Sequence, residues 1–198
     1  FGANASGKSN ILRALGTMRK MVLNSVRLNP DDTLDEYEPF LLDEESRNND
    51  TEFEAEFIAT TEQNVELRYR YGFSFSGKII SEEWLYRQER NTDEVELFTR
   101  IGRKVQVNET EFPEGKGKED TLNGNRLFLS LIAQLNGVES IEVISWFSSG
   151  TFVTASQTEQ YITLTSALLK SKKIPIENEI GHYVNIAETF LSNIDVGI

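Results

Sequence analysis

The chain has 198 residues, 38% of them hydrophobic and 26% charged, which is the composition of a globular protein and not of a disordered tail. Cysteine is absent, so neither a disulfide framework nor a thiolate metal site can form, and a cytoplasmic setting is expected. The net charge of −12 opposes the counterion-driven attraction behind general nucleic-acid binding, and no run of roughly 18 apolar residues marks a membrane span.

The first ten residues, FGANASGKSN, contain Gly2, Gly7, Lys8 and Ser9 in the spacing G-x-x-x-x-G-K-[ST]. A chance match in a chain of this length is on the order of one per cent. A loop that leads into a helix can turn several backbone N–H groups around one anion, provided that no side chain obstructs the approach. Glycine at positions 2 and 7 meets that demand. The expected nucleotide-binding residues are Gly2, Ala3, Asn4, Ala5, Ser6, Gly7, Lys8, Ser9 and Asn10, with the amides from Asn4 to Ser9 around a β-phosphate. Lys8 is the expected catalytic residue, its ammonium directed to the β- and γ-phosphates. The Ser9 hydroxyl is the expected Mg²⁺ ligand, so ATP and Mg²⁺ are the expected cofactors. A plain glycine cap is the competing reading, and the full spacing followed by an amphipathic helix argues against it. Since a strand normally feeds such a loop, that strand is expected upstream of Phe1, and the chain is expected to be part of a longer ATPase domain.

Apolar residues at Ile11, Leu12, Leu15, Met18, Met21 and Val22 recur at helical spacing, with Arg13, Arg19 and Lys20 turned elsewhere, which predicts a helix over 9–26. Residues 29–50 are polar and acidic around a short patch at Phe40 to Leu42, and read as a solvated surface loop; no regular ligand spacing supports metal binding there. The period then changes to two. Phe53, Ala55, Phe57 and Ala59 alternate with glutamates, and Val65, Leu67, Tyr69, Tyr71, Phe73 and Phe75 repeat the pattern. A tight turn at 76–78 leads into IISEEWLYRQE and EVELFTRI, joined through RNTD, and Lys104 to Val107 suggests a further short strand. The region 51–107 is therefore predicted to be an antiparallel meander with one face on a core and one in water. After a glycine- and charge-rich loop, the segments RLFLSLIAQL, ESIEVISWF, TLTSALLK and IGHYVNIAETFLSNI carry helical spacing, which predicts a helical lobe over 126–198. The whole of 1–198 is expected to be one partial ATPase domain, with its phosphate loop and helix in 1–26.

Asn4 within the loop and Asn10 after Ser9 resemble the ABC-type ATPase heads of the SMC, RecF and OLD group, although Ala5 stands where that group usually has glycine. The likeness extends to the bacterial RloA-like AAA-family ATPases found with restriction and abortive-infection systems. It is carried by Pro39-Phe40, FEAEFI, YRYGF, EEWLY and LFTR in the same order, and by RLFLSLIAQLN, VISWF and FLSNIDVGI later. The resemblance implies an α/β P-loop NTPase fold with an α+β insertion, in which the loop helix is followed by an antiparallel meander and a helical lobe. It also implies a homodimer that sandwiches ATP, a signature loop and a Walker B strand with a catalytic glutamate beyond the chain, and a role in phage defence beside a partner effector nuclease. A DNA-repair ATPase acting on DNA and a non-hydrolysing nucleotide sensor are the competing functions.

Four other features bear on function. WFSSGTF at 146–152 reads either as a signature-type Ser-x-Gly loop or as a helix-ending turn, and the turn is favoured because no apolar run ending in Asp-Glu follows. Trp84, Tyr86, Tyr69, Tyr71, Phe73 and Phe75, beside Arg68, Arg70, Arg87 and Arg90, could form a stacking platform for single strands, but their alternation favours a packing face. His182, the only histidine, reads as an ordinary helix position, and Gln88, Gln106 and Gln134 are equal candidates for a Mg²⁺-coordinating Q-loop glutamine.

Overall fold

The computed structural model describes residues 8–39, 42, 46, 47, 49–61 and 65–149. Helix α1 spans Lys8–Asn24 and tightens into a 3-10 turn at Ser25–Arg27. Five strands follow: β1 Thr51–Thr60, β2 Glu66–Phe75, β3 Ile80–Gln88, β4 Val95–Ile101 and β5 Lys104–Val107. Two helices, α2 Phe128–Gln134 and α3 Val138–Ser149, complete the described part.

The strands pair in chain order, β1-β2-β3-β4-β5, and every pairing is antiparallel. The meander expected from the alternation is thus present, and no parallel pairing occurs among the described residues. The expected helices in TLTSALLK and IGHYVNIAETFLSNI, and the patch at Phe40, lie outside the described residues.

Alternation decides the two faces of the sheet. Tyr69, Tyr71, Phe73 and Phe75 of β2 are fully buried on one face, against Phe57 of β1 and Leu85 of β3. A bulge at Leu85/Tyr86 sets two successive residues of β4, Leu97 and Phe98, into the core. Helix α3 closes this face by stacking Trp146 on Phe57 at 4.1 Å and setting Phe147 edge-on to Tyr71 at 5.9 Å. Helix α1 adds Met18, Met21 and Val22 to the same core.

The apolar stripe expected along α1 is packed only in its C-terminal half. Ile11 and Leu12 remain 64% and 38% exposed. The reason is positional, since α2 and α3 meet α1 through Val22 and Arg19, several turns beyond its start.

The sheet and α2 are joined by a buried ion pair that the strand pattern places on the wrong face for a charge. Glu83 of β3 and Arg100 of β4 are register partners on the core side, with side chains 0% exposed, and pair at 3.3 Å. Glu83 also accepts from the Tyr71 hydroxyl at 3.0 Å and from the backbone N–H groups of Phe128 and Leu129 at 2.7 and 3.0 Å, so it caps α2 from across the core. Arg100 donates to the carbonyls of Gly102, Arg126 and Gly124 at 2.6, 2.5 and 3.1 Å. Burial raises the Glu83 carboxyl above its ordinary range and lowers the Arg100 guanidinium, so both charges are held against desolvation by their partners.

On the outer face Gly72 is the floor for the Trp84 ring. A methyl group at Gly72 would overlap that ring and come within 2.8 Å of the Phe53 carbonyl oxygen.

Two outcomes are expected. Glu83→Gln leaves Arg100 as an uncompensated buried charge and should cost about 3–5 kcal/mol in urea unfolding. A loss under about 1 kcal/mol would show that the pair does not hold the fold. Gly72→Ala should cost about 1–3 kcal/mol and shift the indole emission as Trp84 is displaced; unchanged emission and stability would refute the contact.

Candidate phosphate-binding helix and its supports

Helix α1 begins at Lys8, where the glycine-spaced motif ends. Its first N–H groups have no intrahelical acceptor, and its dipole concentrates positive potential at that end. No acidic residue lies in its first turn, so nothing within the helix neutralises this potential. The arrangement suits an anion delivered by the loop. Of the expected nucleotide-binding residues, Gly2, Ala3, Asn4, Ala5, Ser6 and Gly7 lie outside the described residues. Lys8, Ser9 and Asn10 open α1, with Asn10 exposed.

A groove follows the first turns of the helix, lined by Asn10, Arg13 and Thr17 of α1, Glu38 and Pro39 of the loop, and Phe53 of β1. Arg13 pairs with Glu38 at 3.0 Å, and Lys20 farther along pairs with Glu36 at 2.8 Å, which raises the Lys20 ammonium above its ordinary value.

The far end of α1 is tied down by groups that sequence reasoning did not single out. Arg19 Nε donates to the Phe147 carbonyl at 2.8 Å and its Nη2 to the Ser148 carbonyl at 3.2 Å, placing a cation on the C-terminus of α3. Ser130 of α2 donates to the Val22 carbonyl at 2.6 Å, and the Leu127 N–H donates to Ser25 Oγ at 3.3 Å. Arg126 Nε donates to the Leu28 carbonyl at 2.7 Å. Asn125 Nδ2 donates to the carbonyls of Asn29 and Asp32 at 2.6 and 3.0 Å. Each of these contacts joins residues far apart in sequence, so no local pattern announces it. Glu83 is the exception, because a glutamate in an inward strand position is itself a signal.

The other candidates separate. Tyr69, Tyr71, Phe73 and Phe75 are sealed in the core and cannot stack on bases, which overturns the platform reading for those four. Arg87 is held by Glu111 and Glu139 at 2.7 and 2.9 Å. Trp84 and Tyr86 lie on the opposite face of the sheet from those four, as the register shows. Helix α3 continues through Ser148 and Ser149, whose hydroxyls donate back to the Ser145 and Trp146 carbonyls at 2.9 Å each. Gly150 and Thr151, like His182, lie outside the described residues. Gln88 is engaged with Arg68 and with the Thr92 carbonyl, whereas Gln106 and Gln134 are exposed. Among the described residues no group of three His, Asp or Glu is arranged to hold a metal ion, and no helix is long and apolar enough to cross a membrane.

Residues 1–115, more than half of the chain, match a protein family described as "AAA domain, putative AbiEii toxin, Type IV TA system". The match takes in the glycine-spaced loop, α1 and all five strands. No curated protein and no solved structure matches the chain.

Arg19→Met keeps the aliphatic stem and removes two charge-assisted hydrogen bonds. It should lower stability by about 1.5–3 kcal/mol and speed amide exchange in the last turn of α3. Unaltered exchange there would show that Arg19 does not hold α3.

Proposed function

The chain belongs to this AAA-domain family, and we propose that it binds ATP with Mg²⁺ at Gly2 to Asn10 and that the full-length protein hydrolyses it as an ABC/SMC-like ATPase. The observation that carries this reading is the coincidence of the motif with the start of α1. The last residues of a G-x-x-x-x-G-K-S loop open a 17-residue helix without an acidic first turn. The family match, which spans the motif, α1 and the five strands, also supports nucleotide binding.

In this reading the backbone amides from Asn4 to Ser9 cradle the phosphates, and Lys8 balances charge on the β- and γ-oxygens. Ser9 supplies a hydroxyl ligand to Mg²⁺, which when bound neutralises the charge that develops during phosphoryl transfer. The far end of α1 is anchored by α2 and α3. Two protomers sandwich the nucleotide, and the residue that activates water comes from a Walker B strand.

The family description, which names a toxin of a type IV TA system, supports a defence-linked role; in our reading nucleotide state there gates an effector nuclease. The lack of cysteine agrees with a cytoplasmic site of action. Direct action on DNA is disfavoured by the net charge of −12.

Lys8→Ala in the full-length protein should reduce nucleotide turnover by roughly 100-fold or more with the thermal unfolding midpoint unchanged, because the lost contact is to ligand and not to core. Turnover at the wild-type rate would sink the assignment. Ser9→Ala should act through the metal, raising the Mg²⁺ concentration needed for half-maximal activity. ATP-driven dimerisation without turnover in the wild-type protein would replace the hydrolase reading with that of a nucleotide sensor.

A further inference from the structure

The face of the sheet opposite the core has no covering element among the described residues. By the pairing register it presents Glu52, Glu54 and Glu56 of β1, Glu66 of β2, Glu82 of β3 and Glu96 of β4. Its strand cations are Arg68, Arg70 and Lys104, so carboxylates outnumber them. Both arginines are already engaged. Arg68 pairs with Glu56 and donates to Gln88, while Arg70 pairs with Glu94 at 2.6 Å and Glu54 at 3.1 Å.

An acid-rich solvated face is ordinary, but this one carries more than acid. Trp84 lies on Gly72, and its Nε1 donates to Glu54 at 2.7 Å. Ile101, 73% exposed, is the register partner of Glu82, and Ile58, 59% exposed, shares the face on β1. A groove beside Trp84 and Ile101 is lined by Glu54, Arg70, Glu82 and Tyr86 as well. Aromatic and exposed aliphatic groups beside Glu82, which has no partner cation among the described residues, form a surface fitted to a cationic chain with planar head groups.

The fold contains its own example of that recognition. The Arg70 guanidinium lies 4.1 Å over the Tyr86 ring while its fork holds Glu94 and Glu54, which combines cation–π and bidentate contacts. Glu82 and Trp84, neighbours on the same face of β3, repeat the pairing of carboxylate and ring without an arginine of their own.

We propose that this face docks an arginine-rich segment of a partner protein, with a guanidinium stacked on Trp84 and forked to Glu82. Nucleic acid is the wrong partner for the patch, because phosphates would meet the carboxylates. The site is separate from α1 and does not depend on nucleotide turnover.

The test uses the Trp146→Phe chain, in which Trp84 is the sole indole, titrated with an acetylated, amidated hexa-arginine peptide at about 0.15 M salt. A saturable change in Trp84 emission is expected. Glu82→Lys should weaken association at least about tenfold, whereas Asp31→Lys, the same charge change in the loop after α1, should weaken it less than about twofold. Calorimetry on the wild-type chain makes the same comparison without the Trp146 substitution. Equal weakening by both variants would reduce the effect to net charge and overturn the proposal. The absence of saturable binding, or tighter binding of a single-stranded DNA oligonucleotide than of the peptide, would overturn it too.

Discussion

Among the described residues, Glu83 and Arg100 form the ion pair whose two side chains are wholly buried, and it ties the sheet to α2. Two charges taken out of water are costly, and their mutual attraction offsets that cost only when the remaining lone pairs and donors are also satisfied. Here they are, by the Tyr71 hydroxyl, two amides of α2 and three backbone carbonyls. The pair therefore specifies an arrangement as well as a contact. It fixes β2, β3 and β4 in register, sets the start of α2, and holds the carbonyls of Gly124 and Arg126 on the segment that leads into it.

From α2 the constraint reaches α1. Ser130 and Leu127 bond to the end of α1, while Arg126 and Asn125 secure the chain that leaves it. Arg19 adds a second tether to α3, about 16 Å along the axis from Lys8. Helix α1 is thus held at the end remote from the motif.

The two faces of the sheet divide the chemistry. Inward, aromatic rings interlock with Trp146 and Phe147 of α3, so that the meander and helices share one core. Outward, Glu–Arg pairs cross from strand to strand, and Trp84 is seated where Gly72 has no side chain. A strand with a period of two cannot avoid presenting both surfaces, and here each is chemically distinct.

Much of this was legible in local pattern. Alternation in 53–59 and 65–75 located β1 and β2 and their core side, and the apolar spacing after Ser9 located α1. The motif marked the candidate site without any tertiary information, because its chemistry depends on consecutive backbone groups. The exposed start of α1, the capping of α2 by a strand glutamate and the hold of Arg19 on α3 were not legible, since each depends on which distant segments meet. The amino-acid sequence by itself determined the strands with their two faces and the position of α1, which are written in periods of a few residues, and it marked the candidate loop by its motif. Only the tertiary structure decided which groups satisfy Glu83, which end of α1 is anchored and which aromatic rings stay at the surface. Those outcomes depend on long-range packing and desolvation, and neither has a local period.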